Sequence, residues 1–210
     1  VLVTDRKIVT EDRNLYAGFI GTDSEQEGRE AGLFLLKKFP KAAADSRTIK
    51  IIEISGTEGS SVAIGRAAGF REIITKHTEF QIIHSVSGDF LRSKGYELMR
   101  DILVDFKDID VVFSHNDGMT LGIIDAMKEK GIKPGTDIVI ITIDAEQAAI
   151  DALRRGEVNC VIECNPKTGP DIMDLTKRLA RGESIPRLKH VHEEVFTEDD
   201  DLSSLLPRGY

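Results

Sequence analysis

The chain lacks the features that mark membrane-spanning, nucleic-acid-binding or disordered proteins. No apolar run approaches the roughly 18 residues of a transmembrane helix. Acidic residues outnumber basic ones by 36 to 28, and the net charge of −8 argues against non-specific binding to nucleic acid or to an anionic membrane surface. Only six of 210 residues are proline and 40% are hydrophobic, so the composition is typical of a folded globular chain. That length accommodates one large or two small domains.

Cysteine is scarce, and its placement excludes one disulfide. Cys160 and Cys164 stand four residues apart in an apolar run that predicts a strand, which separates their Cα atoms by about 13 Å. This distance is too long for a disulfide. The five histidines have no zinc-ligand spacing relative to these cysteines. We therefore expect two structural thiols, no metal site and no cofactor.

The motifs of several enzyme classes are also missing. The loop at residues 56–61 is rich in glycine and serine, but it lacks the Gly-Lys-Ser/Thr ending of a phosphate-binding loop. There is no Gly-x-Gly-x-x-Gly segment for a dinucleotide. Ser60 and Ser61 do not lie in the Gly-x-Ser-x-Gly turn of a hydrolase nucleophile. The sequence therefore predicts a protein that is not an enzyme.

Two kinds of apolar segment alternate along the chain and predict an α/β fold. Runs rich in isoleucine and valine, typical of strands buried on both faces, occupy residues 49–54, 80–86, 110–113 and 138–143. The segments between them have the 3.6-residue apolar spacing of helices that cover a sheet. Because strands and helices alternate, we expect a doubly wound parallel sheet.

Polar or aromatic side chains follow the predicted strands, at the edge where ligands bind in sheets of this kind. The residues of interest are Asp5, Arg6, Arg66, Phe90, Asn116 and Asp144. Each alone has a simpler explanation, since Asp and Asn often cap helices, arginine is usually exposed and phenylalanine usually lies in the core. Together they supply the acceptors, donors and apolar ring face that a sugar requires. We therefore expect one polar cleft that binds a sugar.

Five segments carry a resemblance to a known family: residues 2–6, 56–70, 88–90, 114–122 and 143–144. In this order they resemble the type I periplasmic sugar-binding proteins of ABC transporters, and most of all the galactofuranose-binding branch, followed by the ribose-binding branch. The most specific match is Asn-Asp-Gly-Met-Thr-Leu-Gly, which begins at Asn116. At residue 145 an alanine replaces the glycine that usually follows the aspartate in this family.

The resemblance implies a role for each candidate residue. Asp5 and Arg6 would contact sugar hydroxyls, Arg66 would reach the ligand, and Phe90 would stack on the sugar ring. Asn116 would be a further ligand contact. Asp144 would be the ligand-binding carboxylate of its segment. The ligand would be a monosaccharide such as galactofuranose or ribose, bound between two lobes without a cofactor.

The resemblance also predicts the domain organisation. Residues 1–23 and 165–188 would be remnants of an N-terminal lobe, whereas residues 24–164 and 189–196 would form a complete C-terminal lobe. Residues 197–210 would be a loosely held, charged tail. Family members have three β-α units before the strand at Val1, so we expect about 80–90 preceding residues at roughly 30 per unit. A lobe reduced in this way exposes apolar faces, which favours a homodimer.

Two functions remain open at this point. The first is the sugar-binding component of an ABC transporter, with permease subunits in the membrane as partners and no nucleic acid. Such a protein would be periplasmic or, in a Gram-positive organism, extracellular and associated with the membrane. The alternative is the effector-sensing domain of a transcription factor of the lactose-repressor type, which shares the fold. The negative net charge and the galactofuranose-type segments favour the first.

Overall fold

The computed structural model describes residues 1–12 and 14–210, which form two β-sheets with helices packed against them. The strands are β1 (Leu2–Thr4), β2 (Gly18–Gly21), β3 (Ile49–Ser55), β4 (Phe80–Ser87), β5 (Val111–Ser114), β6 (Val139–Asp144), β7 (Cys160–Glu163), β8 (Leu188–His190) and β9 (Val195–Thr197). The helices are α1 (Ser24–Lys38), α2 (Ser61–Ile74), α3 (Arg92–Asp105), α4 (Asp117–Glu129), α5 (Gln147–Arg154) and α6 (Gly169–Ala180). Within the described ranges, no helix has the length and hydropathy needed to cross a bilayer.

The larger sheet has six strands in the order β4-β3-β5-β6-β7-β9, and all neighbours are parallel except β7 and β9. One of its two faces packs against α1 and α2, through residues such as Leu35 and Phe70. The opposite face packs against α3, α4 and α5, through residues such as Met99, Ile123 and Ile150. This arrangement confirms the predicted doubly wound α/β fold. The near-continuous Ile and Val runs follow from it, because each central strand is buried on both faces.

Glycines bring α1 and α2 unusually close together. A Cβ atom on Gly28 of α1 would lie 2.1 Å from the carbonyl oxygen of Arg66, and one on Gly69 of α2 would lie 1.9 Å from the carbonyl oxygen of Glu25. No larger side chain fits at these crossing points unless the helices move apart. The close approach places Glu27 of α1 directly beside the side chain of Arg66.

The smaller sheet contains β1, β2 and β8 in that order, and all its strands are parallel. Helix α6 buries Leu175 but leaves Met173 more than half exposed. Val1, Val9 and Leu188 are also largely exposed. This part of the chain therefore leaves several large apolar side chains in solvent.

Three short connections link the two sheets, and we call them the crossover segments: residues 22–23, 164–168 and 191–194. They contact one another. The hydroxyl of Thr22 lies 3.5 Å from the sulfur of Cys164. The backbone N–H of Asp23 donates to a carboxylate oxygen of Glu193, at 3.2 Å. All three crossover segments therefore meet in one place.

One predicted boundary is wrong. Residues 189–196 were expected to belong together in the larger lobe, but β8 pairs with β2 in the smaller sheet, with Lys189 opposite Ile20. The return to the larger sheet comes later, at β9, where Phe196 pairs with Val161 of β7. The two strands are separated by a crossover segment. Their short, mixed sequences give no periodic signal that would divide them.

The expectation of a loosely held tail is also wrong. Leu202 and Leu205 pack against the core formed by α3, α4 and α5. The hydroxyl of Tyr210 donates to Glu163 Oε1 at 2.7 Å, and the guanidinium of Arg208 contacts the same carboxylate. The charged run at residues 198–201 suggested solvation. The apolar and aromatic residues after it hold the segment in place.

Candidate ligand-binding cleft

The carboxyl ends of four adjacent strands deliver the candidate residues to one edge of the larger sheet. Arg66 lies in α2, which follows β3, and Phe90 follows β4. Asn116 follows β5, and Asp144 is the last residue of β6. Because these strands are neighbours and parallel, the residues after them share one edge of the sheet.

Arg66 is the centre of the site. Its side chain is only 2% exposed, and its Nε donates to Glu27 Oε2 at 2.6 Å. Its Nη2 donates to Asp144 Oδ1 at 3.2 Å, and its Nη1 donates to the carbonyl of His115. Burial disfavours the charged guanidinium, but the carboxylates of Glu27 and Asp144 outweigh this and raise the pKa of Arg66. Arginine has five N–H groups, so two remain for a ligand beyond these three contacts.

Asp144 supplies the acceptor beside this arginine. Its side chain is 25% exposed, so one side of the carboxylate faces the cleft while the other meets Arg66. Burial raises the pKa of Asp144 to about 6, although the charge of Arg66 opposes the rise. The carboxylate is therefore ionised at neutral pH and can accept hydrogen bonds from hydroxyl groups.

Phe90 provides an aromatic ring close to two cations. The guanidinium carbons of Arg6 and Arg66 lie 5.8 and 5.9 Å from the centre of its ring. Gly56 makes room for this ring, since a Cβ atom on Gly56 would lie 1.9 Å from Cζ of Phe90. An aromatic face beside donors and a carboxylate is suited to the C–H surface of a sugar.

Asn116 caps helix α4, which is the simpler explanation of its presence. Its Oδ1 accepts from the N–H of Met119 at 3.0 Å, while its Nδ2 lies 3.5 Å from the carbonyl oxygen of Phe90. The amide therefore combines a structural role with a position beside Phe90. Its neighbour Asp117 does not face the cleft, because its carboxylate accepts from Thr142 Oγ1 at 2.6 Å and is fully buried.

Asp5 and Arg6 reach the same place from the smaller sheet. Both side chains are exposed, and the Arg6 Nε lies 3.7 Å from Asp5 Oδ2. Asp5 also lines a cavity of about 180 Å³ together with Thr22, Cys164 and Asn165. The structure thus brings all six candidate residues together, although Asp5 is linked to the others only through Arg6.

A family model described as a periplasmic binding protein domain matches residues 1–184. The chain belongs to the periplasmic binding protein family. Among curated relatives, the galactofuranose-binding protein YtfQ of Escherichia coli K12 is 35% identical over 189 residues, which cover 89% of this chain and 58% of the relative. The chain therefore spans less than two thirds of that relative's length.

Two solved structures are similar in both fold and sequence. A Mycobacterium smegmatis protein in complex with β-D-fucofuranose superposes with a TM-score of 0.89 at 40% identity, covering 94% of this chain and 64% of that one. The periplasmic binding component of an arabinose ABC transporter from Shewanella sp. ANA-3, bound to α- and β-L-arabinofuranose, has a TM-score of 0.88 at 34% identity. The match covers 94% of this chain and 65% of the Shewanella chain.

Backbone strain in this periplasmic binding protein is concentrated at the strand ends. Apart from glycine, the described residues with positive φ are Ser46, Asp5 (67°), Asp89 (53°), Phe90 (60°), Asp144 (130°) and Ala145 (63°). All except Ser46 lie at or beside the cleft. Left-handed conformations cost about 1–3 kcal/mol at residues with a side chain, and such strain is typical of functional sites. Ala145 adopts one although it carries a Cβ atom.

Sequence reasoning missed the residues that support the cleft from behind. Glu27 reads as an ordinary acidic residue in the first turn of a helix, yet it is the buried partner of Arg66. Glu53 lies in the middle of β3, where it accepts from Arg71 and from Ser85 and lies 3.2 Å from the Nε2 of His115. Burial alone would raise the pKa of Glu53, but hydrogen bonds from His115 and Arg71 lower it to about 2.

Both cysteines are free. Cys160 is buried in β7, and Cys164 is half-buried in a crossover segment. The sulfur of Cys164 and one carboxylate oxygen each of Glu27 and Glu193 lie within 4.8 Å of one another. The spacing of histidine and cysteine along the sequence does not predict this group, because two of its three members are glutamates.

Proposed function

We propose that this chain binds a monosaccharide in the cleft at the strand ends. The observation that carries the proposal is the grouping of Arg66, Asp144 and Phe90, with Asn116 beside them. A guanidinium with two unused N–H groups donates to hydroxyls, and an ionised carboxylate accepts from them. The ring of Phe90 covers a C–H face of the sugar. Strained backbone at Phe90 and Asp144 holds these groups in place before the ligand arrives.

A five-membered sugar ring is the preferred class. The E. coli relative is a galactofuranose-binding protein, and the two similar structures contain fucofuranose and arabinofuranose. All three are furanose ligands, at 34–40% identity. Galactofuranose is therefore the first candidate for this chain, with ribose as the second.

The biological role that fits this ligand is solute capture for import. In the whole protein, the crossover segments would act as hinges between two lobes that close on the sugar and present it to ABC permease subunits. The protein would then work in the periplasm or at the outer face of a membrane. The Escherichia coli relative and the Shewanella protein are both described as binding proteins, which supports transport over the effector-sensing role in a transcription factor. No catalytic step is proposed.

The exposed apolar side chains of the smaller sheet support a further property. Val1, Val9, Leu188 and Met173 would lose exposed apolar surface if two copies met through this part of the chain, and among the described residues β1 lies at one edge of its sheet, where a second strand could pair. The proposed homodimer predicts a mass of about twice 23.2 kDa in light scattering. A monomer at high concentration would contradict it.

Titration calorimetry tests the sugar proposal. The chain is titrated with galactofuranose, arabinofuranose and ribose. Arg66→Ala and Asp144→Ala should each weaken binding by about 2 kcal/mol or more, because each leaves a polar group in the complex without its partner. Arg100→Ala is the matched control, since Arg100 lies in α3, is 47% exposed and lies near Glu129, which is not one of the candidate residues. Equal affinities for all four proteins would refute the assignment.

A further inference from the structure

Glu27 and Glu193 form a pair of carboxyl groups behind the cleft, and each has one oxygen atom to which no described residue donates a hydrogen bond. The side chain of Glu27 is fully buried, with Oε2 bound to Arg66 and Oε1 left without a hydrogen-bond donor among the described residues. Glu193, in the crossover segment at 191–194, accepts from the N–H of Asp23 through Oε2. Its Oε1 is likewise buried, and no described residue donates to it. One oxygen of each carboxyl group lies within 4.8 Å of the other.

The charges at this position do not balance. Glu27, Glu193 and Asp144 are three carboxyl groups around the single guanidinium of Arg66. Two ionised carboxylates that face each other in a buried place repel, and each would also lack a hydrogen bond. One proton between them removes both penalties, because it turns one acceptor into a donor. Glu27 already accepts a hydrogen bond from the guanidinium of Arg66, so the proton belongs on Glu193.

We infer that Glu193 is a neutral carboxylic acid that donates its hydrogen bond to Glu27, and that this pair positions Arg66 for the sugar. The inference rests on the proposed function of the cleft. It gives the crossover segment at 191–194 a direct link to the arginine, through Glu193, Glu27 and the guanidinium. Glu193 and Glu27 are positioning residues, since they act on the ligand only through Arg66.

The surroundings of Glu193 favour its neutral form. Glu27 of α1, Arg66 of α2, Cys164 and Asp23 lie closest to it. The charged or titratable groups next to these are Asp144, which contacts Arg66, His190, which contacts Asp23, and Glu163, Glu194 and Arg208, which contact one another beside it. Burial comes first and the charge of Glu27 second among the causes that raise the pKa of Glu193 to about 9, although the N–H of Asp23 and the charge of Arg66 oppose them. Burial also raises the pKa of the Cys164 thiol, which is therefore uncharged at neutral pH.

The pH dependence has a definite sign. A glutamate in the unfolded chain titrates near 4.5, whereas Glu193 in the folded protein titrates near 9. The stabilisation is therefore complete below about pH 4.5 and is lost as the pH rises towards 9. Across this window the equilibrium constant for unfolding rises by up to about tenfold per pH unit because of this one group.

The test compares wild type with Glu193→Gln and Glu193→Ala. The glutamine amide donates to Glu27 as the acid does but cannot titrate. In urea unfolding between pH 6 and 8, the free energy of unfolding of the wild type should fall with pH more steeply than that of Glu193→Gln. The difference between the two slopes should correspond to the release of about one proton on unfolding. Glu194→Gln, a change at the exposed neighbour, should leave the wild-type slope unchanged. Equal slopes for the wild type and Glu193→Gln would overturn the shared proton.

Sugar binding and spectroscopy provide independent measurements. Glu193→Ala should weaken sugar binding at least about tenfold, and Glu193→Gln should restore most of it. An alanine variant that binds as well as the wild type would overturn the positioning role. Infrared difference spectra at pH 7 should contain a protonated carboxyl band in the wild type that Glu193→Gln lacks, and its absence would refute the neutral acid even if the alanine variant fails to fold.

Three further outcomes separate the alternatives. Stoichiometric Zn²⁺ binding that Glu193→Gln abolishes would overturn the inference, since a metal would then occupy the place of the proton. If the wild type binds sugar but its unfolding slope equals that of Glu193→Gln, the proposed function is supported and the neutral acid at Glu193 is refuted. If no sugar binds and the two slopes differ, the neutral acid is supported, whereas the proposed function and the positioning role are both refuted.

Discussion

Replacing Arg66 with methionine should lower the free energy of unfolding by about 3–5 kcal/mol. The cause is the buried carboxylate of Glu27, which loses the guanidinium 2.6 Å away and has no solvent access to compensate. Asp144 contributes less to this loss, because its side chain is 25% exposed and water can replace the lost contact. Methionine fills the space of the arginine stem, so the loss reports on the charge rather than on a cavity.

Urea unfolding at pH 7, followed by circular dichroism, measures this change. The double variant Arg66→Met with Glu27→Gln should recover most of the loss, because a neutral amide needs no counter-ion. Arg100→Met is the control, since Arg100 is 47% exposed, lies 4.0 Å from Glu129 and should contribute less than about 1 kcal/mol. A loss for Arg66→Met as small as that of the control would refute the buried ion pair.

Three further changes test other parts of the structure. Gly28→Ala should destabilise the fold by about 1–3 kcal/mol in urea unfolding, because its Cβ atom would lie 2.1 Å from the carbonyl oxygen of Arg66. Gly56→Ala should displace the ring of Phe90 and weaken sugar binding in calorimetry, with little change in stability. Asp144→Asn should flatten the dependence of melting temperature on pH. The native pKa of Asp144 is raised from 3.8 to about 6, so the wild type loses stability as the pH rises through this window.

The matched control for both glycine variants is Gly169→Ala, because a Cβ atom there meets nothing within 4 Å and the backbone φ is ordinary. Stability equal to that control would contradict the close crossing at Gly28. Unchanged sugar affinity of Gly56→Ala would contradict the role of Phe90. A pH profile of Asp144→Asn equal to that of the wild type would show that burial does not raise the pKa of Asp144.

The larger sheet could be predicted because its signals are local. Ile and Val runs mark strands buried on both faces, and helical spacing between them fixes the order of elements. The strand-end rule then identified Arg66 and Asp144, which meet at 3.2 Å. Strands β8 and β9 gave no such signal, since each has only three residues and its partner lies far away in sequence.

Glu27 and Glu193 could not be found in the same way. An acidic residue in the first turn of a helix is favoured by the helix dipole, so Glu27 has an adequate local explanation. Its burial depends on Gly28 and Gly69, which let two helices meet. Glu193 lies in a connection between two sheets, and only the three-dimensional path of the chain brings it to Glu27. The burial of Glu27 and its proximity to Glu193 are therefore tertiary features, and no single segment of the sequence predicts them.

The central claim is that Arg66 and Asp144 hold a sugar against Phe90. Calorimetric titration of the chain with galactofuranose, side by side for the wild type, Arg66→Ala, Asp144→Ala and the Arg100→Ala control, tests it most directly. The account predicts saturable binding at one site per chain, retained in the control and weakened by about 2 kcal/mol or more in the other two. Binding of equal strength in all four proteins, or no binding of any furanose or ribose by the wild type, would contradict it.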